Sequence, residues 1–497
     1  MNGLNRRHWM AGAAALAMGT GFARAAGAAS LYPEAPLYPE SRAADIVRRI
    51  ALPDIPERDI RVADFGGKGD GQTDNTGAIA QAIAACVAAG GGRVVLPQGV
   101  CLTGPVRLRS RVELHVPEGT RLKFIPEPER YLPPVLTRWE GVELMGYQPL
   151  IYAFEESDIA VTGGGVIDGS ADDRTWWPWK GPWNGRFADV PLGEQQAADR
   201  QKLFDMAEQG VPVSERVFGA GNRLRPAFFQ PYRCQRVLFE GLTVEASPFW
   251  LLHPVLCTSV TFRQVTCDSH GPNNDGCDPE SCVDVLIEGC TFRTGDDCIA
   301  IKAGRNADGR RIGKACEHIV IRNCHMEDGH GGIAIGSEMT GGVRNVFVQD
   351  CTFDSPHLGR AIVLKSNSYR GGDIADIHFT RLKVGQVDTA FLQIWMQYEE
   401  GDGGPFIPSV NHVTVSDTQI ATTGRVLVLR GTQAKPIAGL ALSHVTVHEE
   451  KAPSVVLETE AIGLEQVTVA GKAWTQAYMD RLPGLESVRC DRWGMCR

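Results

Sequence analysis

The chain has 497 residues, a formal net charge of −9 and 43% hydrophobic residues, so it can bury a large core. An acidic balance of this size argues against non-specific nucleic-acid binding. Length alone suggests several domains, but all-β solenoids run long as single units, so length does not decide the domain count.

Taken in chain order, residues 1–25 read as an export signal. Arg6-Arg7 precedes an apolar run from Met10 to Met18, and Ala23-Arg24-Ala25 supplies a small-residue cleavage site. The paired arginine resembles a twin-arginine signal. The apolar run is too short to span a bilayer, so no membrane anchor is expected and the protein is read as periplasmic or secreted. Cleavage removes three arginines and makes the mature chain more acidic still. An anionic substrate then requires local positive charge at its site. All 14 cysteines lie beyond this signal. Most fall at repeat positions and read as small buried residues, with Cys490 and Cys496 as the expected bridge.

Residues 26–60, rich in Pro and Ala, read as a loose linker. The Gly- and Asp-rich stretch from Val62 to Asn75 makes a tight turn, with Asp74 or Asn75 capping the helix that follows. That helix places Ile79, Ile83, Cys86 and Val87 on one face and stops at Gly90-Gly91-Gly92. It is expected to cover the open end of a β-stack. Strand-like segments at 100–125 and 150–168 are interrupted by long loops at 126–149 and 170–225. In the second loop Trp176, Trp177, Trp179 and Trp183 allow two readings, a sugar-stacking surface or a local mini-core.

From about residue 227 a repeat is plain. Cys234–Val244, Cys257–Cys267, Cys282–Phe292 and Cys316–Met326 each alternate apolar and polar residues around a kink, and weaker copies continue to Val469. The period, roughly 23 to 36 residues, is too short to hold a helix and below the ~40 residues of a propeller blade. A parallel β-helix over 61–470 fits, each coil burying its face against the next. Residues 471–497 are a tail.

The same period carries chemistry. His253, Asp275, Asp296/Asp297, His330, Lys365 and Tyr398 recur at about one coil each, so they climb one edge of the stack. Strands lie roughly 4.8 Å apart, which brings Asp275 beside Asp296/Asp297. Gly295 is expected to let the chain bend so that both consecutive aspartates serve one site. A lone Asp here would read as a turn former; the whole ladder does not. Carboxyl groups held this close do not all ionise easily. One is pushed up to serve as proton donor while another activates water, the arrangement of glycoside hydrolysis.

Pro272-Asn-Asn-Asp-Gly276, Gly295-Asp-Asp297, Gly329-His-Gly331 and Lys365 resemble the signatures of glycoside hydrolase family 28, the polygalacturonases and rhamnogalacturonan hydrolases. Asp64–Asp70, Asp297–Arg305, Gly336–Gly342 and Arg370-Gly-Gly372 resemble its bacterial exo-polygalacturonase branch, and the likeness spans about 60–470. The resemblance implies a right-handed parallel β-helix that cleaves α-1,4-linked galacturonate in pectic polysaccharide or oligogalacturonide with inversion. It implies Asp296 as general acid, Asp275 and Asp297 as bases on the water, and Asn273, His330 and Lys365 as positioning groups. It implies no metal and no cofactor. The family's arginine two residues before Lys365 is here Val363, so Arg305, Arg360 or Arg370 is expected to meet the sugar carboxylate instead. A subsite for an uncharged sugar such as rhamnose is the alternative. The loop 170–225 is the candidate for closing one end of the cleft, which makes an enzyme exo-acting. A non-catalytic polysaccharide-binding β-helix is the rival of a different class.

Overall fold

The computed structural model describes residues 39–482 and 489–496. The stretch read as an export signal, and the linker up to residue 38, lie outside the described residues.

Short strands stack in parallel register into one continuous sheet system, a parallel β-helix. Three inward ladders show why these residues form it. One runs Val106, Ile151, Phe229, Leu252, Cys277, Ile299, Ile333, Ile362, Leu392, Leu427. A second runs Val112, Ile159, Val237, Val260, Val285, Ile319, Val346, Ile377, Val413, Leu440. The third includes Val244, Cys267, Phe292, Met326, Phe353, Val384 and Ile420. Every member of these ladders is buried. β-branched and aromatic side chains pack well on such pleated surfaces, and like stacks on like from coil to coil.

The kinks read in each repeat are left-handed corners, as at Gly241, Gly289, Asn323 and Asp350. Cys234, Cys257, Cys282 and Cys316 form another ladder of buried, unpaired thiols, the backbone N–H of each of the first three lying 3.3–3.4 Å from the Sγ of the next. They are small buried residues rather than bridges, as expected.

Two departures from the sequence reading concern the N-terminal region. Within the expected linker, Pro39–Arg49 forms helix α1, whose Ala43 and Ile46 pack on Leu286, Val320 and Phe347 of the outer face. Helix α2, Thr76–Ala88, joins the core at the first coils through Ile79, Ala82, Ile83 and Cys86, while Val87 is exposed. Successive residues turn about 100°, so Ala82 rather than Val87 completes the stripe. Asp74 caps the helix, accepting from Thr76 N at 3.0 Å. The Asn75 side chain instead holds the preceding turn through Lys68, Thr73 and Leu102.

The two long loops are ordered. In the first, Val135–Trp139 and Val142–Gly146 form an antiparallel hairpin. The second contains helix α3, Ala197–Glu208, packed on that hairpin through Leu203 and Ala207. The tryptophans split between the two readings. Trp176 is buried in a mini-core with Tyr131, Tyr147 and Trp179, whereas Trp183 lines a cavity of the cleft.

Candidate active site

The cleft is built where the coils carry their insertions. Its floor is the loop Gly271–Gly276 and its neighbours one coil on. Asn274 turns inward, donating to Ser247 O and Phe249 O at 3.1 Å, and so braces the loop. Asn273 turns outward in a left-handed conformation and accepts from the buried Arg225 at 2.8 Å. Arg225 also donates to Pro248 O and Pro272 O, tying three turns together. Gly295 is required for close approach rather than for a bend: a Cβ there would lie 2.3 Å from Gly271 O.

Asp275, Asp296 and Asp297 bring carboxylate oxygens within 4.8 Å of one another, as the coil spacing predicts. Around them stand cations. Lys365 Nζ is 2.7 Å from Asp297 Oδ2. Lys302 Nζ lies 3.8 Å from Asp275, 3.7 Å from Asp278 and 3.2 Å from Glu338. His330 Nδ1 lies 3.1 Å from Asp296 Oδ1. Asp275 Oδ1 and Asp297 Oδ1 are buried with no protein hydrogen-bond partner, so each keeps an unused acceptor.

The proton affinities of Asp275 and Asp296 separate. Burial first, and then the charges of Asp296 and Asp278, push the Asp275 carboxyl well up. Burial also works to raise Asp296, but His330 and the two lysines outweigh it and hold that carboxyl well below its usual range. His330 is raised in turn by Asp296. Burial and repulsion together therefore lift Asp275, the acid expected to act as a base, and not Asp296. The reason is position: Asp296 sits against an imidazole, while Asp275 shares one ammonium with two other carboxylates.

Two cavities, of about 580 and 540 Å³, meet at Asp296. Asp296, Asn273, Lys180, Lys365, Tyr398, Glu399 and Trp493 line both. Asp275, Asp297 and Lys302 line only the larger; His330, Arg360 and Val363 line only the smaller. The larger is walled by Gln196, Ala197, Arg200 and Gln201 at the start of α3. Among the described residues a cation could also use Asp376, His378 and His412, remote in the ladder from the acids. At the acids themselves Lys302, Lys365 and His330 already supply counter-charge.

Not every sequence-derived candidate reaches the cleft. His253 is wholly buried, 2.8 Å from Glu280 and 2.9 Å from Gln230, and braces the floor. Its place in the ladder is right, and it points outward beside the inward-facing Leu252, but Gln230, Glu280 and Trp250 cover it. Arg305 is buried against Glu338, Glu140 and Glu400, and Arg370 against Glu399 and Glu400. Of the three arginines only Arg360 lines a cavity; among the described residues it has no carboxylate partner and donates to Gln393 at 2.8 Å. Tyr398 lies with its ring 5.4 Å from Lys365 Nζ, and burial pushes its phenol up to about 12.

Sequence reasoning missed Lys180, Lys302, Arg200 and the tail residues Arg492 and Trp493, all at the cleft wall. Lys302 stands in a stretch singled out only for resemblance. Lys180 ends the Trp176–Lys180 cluster, where a lone cation among aromatics was the available signal.

Residues 215–460 match the family described as Glycosyl hydrolases family 28. The crystal structure of a hyperthermoactive exopolygalacturonase from Thermotoga maritima is similar at 43% sequence identity, with a TM-score of 0.84, covering 88% of this chain and 97% of that one. This chain belongs to glycosyl hydrolase family 28. A probable polygalacturonase of Vitis vinifera is 27% identical over 425 residues, 81% of this chain and 77% of that protein. A family 28 exopolygalacturonase of Yersinia enterocolitica, at 20% identity and a TM-score of 0.62 over 84% of this chain and 79% of that one, shares the fold. The parallel β-helix and the glycosidase assignment read from the signatures therefore hold.

Proposed function

We propose that this family 28 enzyme is an exported exo-polygalacturonase that hydrolyses α-1,4-galacturonosyl linkages with inversion. One observation carries the reading: Asp296 stands at the junction of two cavities, and Asp275 and Asp297 line only one of them. The sugar under attack then lies in the larger cavity and the leaving group in the smaller. A water hydrogen-bonded to the Asp275 and Asp297 carboxylates attacks the anomeric carbon and gives one of them its proton. The glycosidic C–O bond breaks and Asp296 protonates the leaving oxygen.

Within the cluster Asp275 holds a proton more tightly than Asp296 does. The proton belongs to the cluster, and groups this close exchange it. A galacturonate carboxylate that engages His330 and Lys365 weakens the field holding Asp296 ionised. The proton then passes from Asp275 to Asp296, which arms acid and base together. Lys180, Lys365 and Arg360 supply the positive charge an anionic sugar needs inside an acidic protein.

The wall made by α3 closes the larger cavity behind the attacked sugar and supports cleavage near a chain end. The similarity to the Thermotoga exopolygalacturonase points the same way. Val363, apolar beside Arg360, favours one second reading, a leaving-group site that accepts a neutral sugar of rhamnogalacturonan. Product profiles on the two polymers, with the anomer followed from the first turnover, test the proposal. Small products from polygalacturonate with inverted configuration support it. The acids stand closer than inverting pairs usually do, at a spacing where direct carboxylate attack competes, so a retained anomer would refute the mechanism.

A further inference from the structure

The C-terminal segment, read from sequence as a tail, reaches the cleft. Cys490 and Cys496 are bridged as expected and pack on Ala390, Trp395 and Val428. The loop between them is fastened at several points. Glu399 N donates to Arg492 O at 3.0 Å and Gln393 Nε2 to Trp493 O at 2.9 Å. Gly494 is pressed so closely on the sheet that a Cβ would lie 2.5 Å from Gln393 Nε2. Docked this way, the loop turns Trp493 outward. Its ring lines both cavities, yet it remains 39% exposed, one of the few large apolar side chains that are. The Arg492 guanidinium lies 4.2 Å from the ring centroid and lines the larger cavity.

A partly exposed aromatic ring, with one face under the Arg492 guanidinium, at the meeting point of two sugar-sized cavities suits the C–H face of a pyranose ring, and that guanidinium suits a uronate carboxylate. We propose that the loop Cys490–Cys496 is a substrate-binding element: Trp493 stacks on a sugar ring across the cleavage point and Arg492 pairs with a uronate carboxylate. This inference rests on the polygalacturonase reading above. The disulfide acts by holding the loop against the sheet, so that the ring is in place before substrate arrives.

The test is steady-state kinetics on oligogalacturonides with Trp493→Ala, Trp493→Phe, Arg492→Ala and the double variant Cys490→Ala/Cys496→Ala. Trp493→Ala is expected to raise KM about tenfold with kcat within about twofold, and Trp493→Phe to recover most of the loss. Arg492→Ala should raise KM at low salt, with the difference from wild type shrinking as salt screens the pair. Thiol reductant should raise the wild-type KM and leave that of the double variant unchanged, since the other cysteines are buried and unpaired. If the wild type cuts polygalacturonate and Trp493→Ala keeps the wild-type KM, this inference alone is overturned. Equal losses in the Ala and Phe variants, with lowered melting temperatures, would make the loop structural and overturn it too. A wild type that leaves polygalacturonate uncut brings down the functional reading and this inference with it.

Discussion

Asp275 and Asp296 differ in what surrounds them, and that difference makes their variants distinguishable. Asp296→Asn removes the one carboxyl of the three-acid cluster that lines both cavities. Turnover on polygalacturonate should fall by about 10²–10⁴-fold with the far-ultraviolet circular dichroism unchanged. Burial and two like charges raise the Asp275 carboxyl, so ionising it costs the folded protein stability. A carboxyl raised in the folded state stabilises the protein below the unfolded pKa, and that contribution is lost as pH rises through the folded one. Asp275→Asn should therefore abolish turnover while raising the melting temperature at neutral pH by about 1 °C, for roughly 1 kcal/mol of relieved burial and repulsion. His330 is raised from 6.5 by Asp296, so its positive charge is present at low pH and disappears above the raised value. The alkaline limb of kcat/KM should fall through a pKa above 6.5 in the wild type. His330→Gln should lose that limb and about tenfold in activity, the worth of one charge-assisted hydrogen bond.

The elements that make this β-helix an enzyme are the insertions more than the coils. Helix α3 and the Trp176–Lys180 turn bring Lys180 and Arg200 to a wall that the stacked strands alone would leave open. Lys180 lines both cavities and, among the described residues, makes no ion pair; burial lowers its ammonium's proton affinity but leaves it available to a carboxylate. Lys180→Met should raise KM for oligogalacturonides about tenfold and leave binding of neutral oligosaccharides unchanged, as read by calorimetry. These contributions were hard to read in sequence because a loop has no period. The four tryptophans marked the insertion as special, but nothing in their spacing said that Trp176 would be buried and Trp183 would meet the cleft. His253 shows the opposite failure. Its spacing placed it on the right coil, yet spacing says nothing about which neighbours cover a side chain.

In the whole molecule, the core and the chemistry are coupled through short distances. The ring of Phe292 lies so close to Gly276 that a Cβ there would approach it to 2.4 Å, and Gly276 adjoins Asp275. Phe292→Ala should cost about 3–5 kcal/mol, read by denaturant unfolding, and should lower kcat more than a cavity of equal size at Phe379, whose ladder passes far from the acids. The sequence by itself determined the coil, the parallel stacking and the edge on which Asp275, Asp296, Asp297, His330 and Lys365 gather. A repeat of alternating apolar residues has one way to bury its faces, and residues at one period must then become neighbours. Only the tertiary structure decided which carboxyl is raised and which is lowered, which arginine has no carboxylate partner among the described residues, and that α3 and the C-terminal loop wall the cleft. Those outcomes depend on burial, on charge balance within a few ångströms and on where unperiodic segments dock, and none of these is written in a spacing.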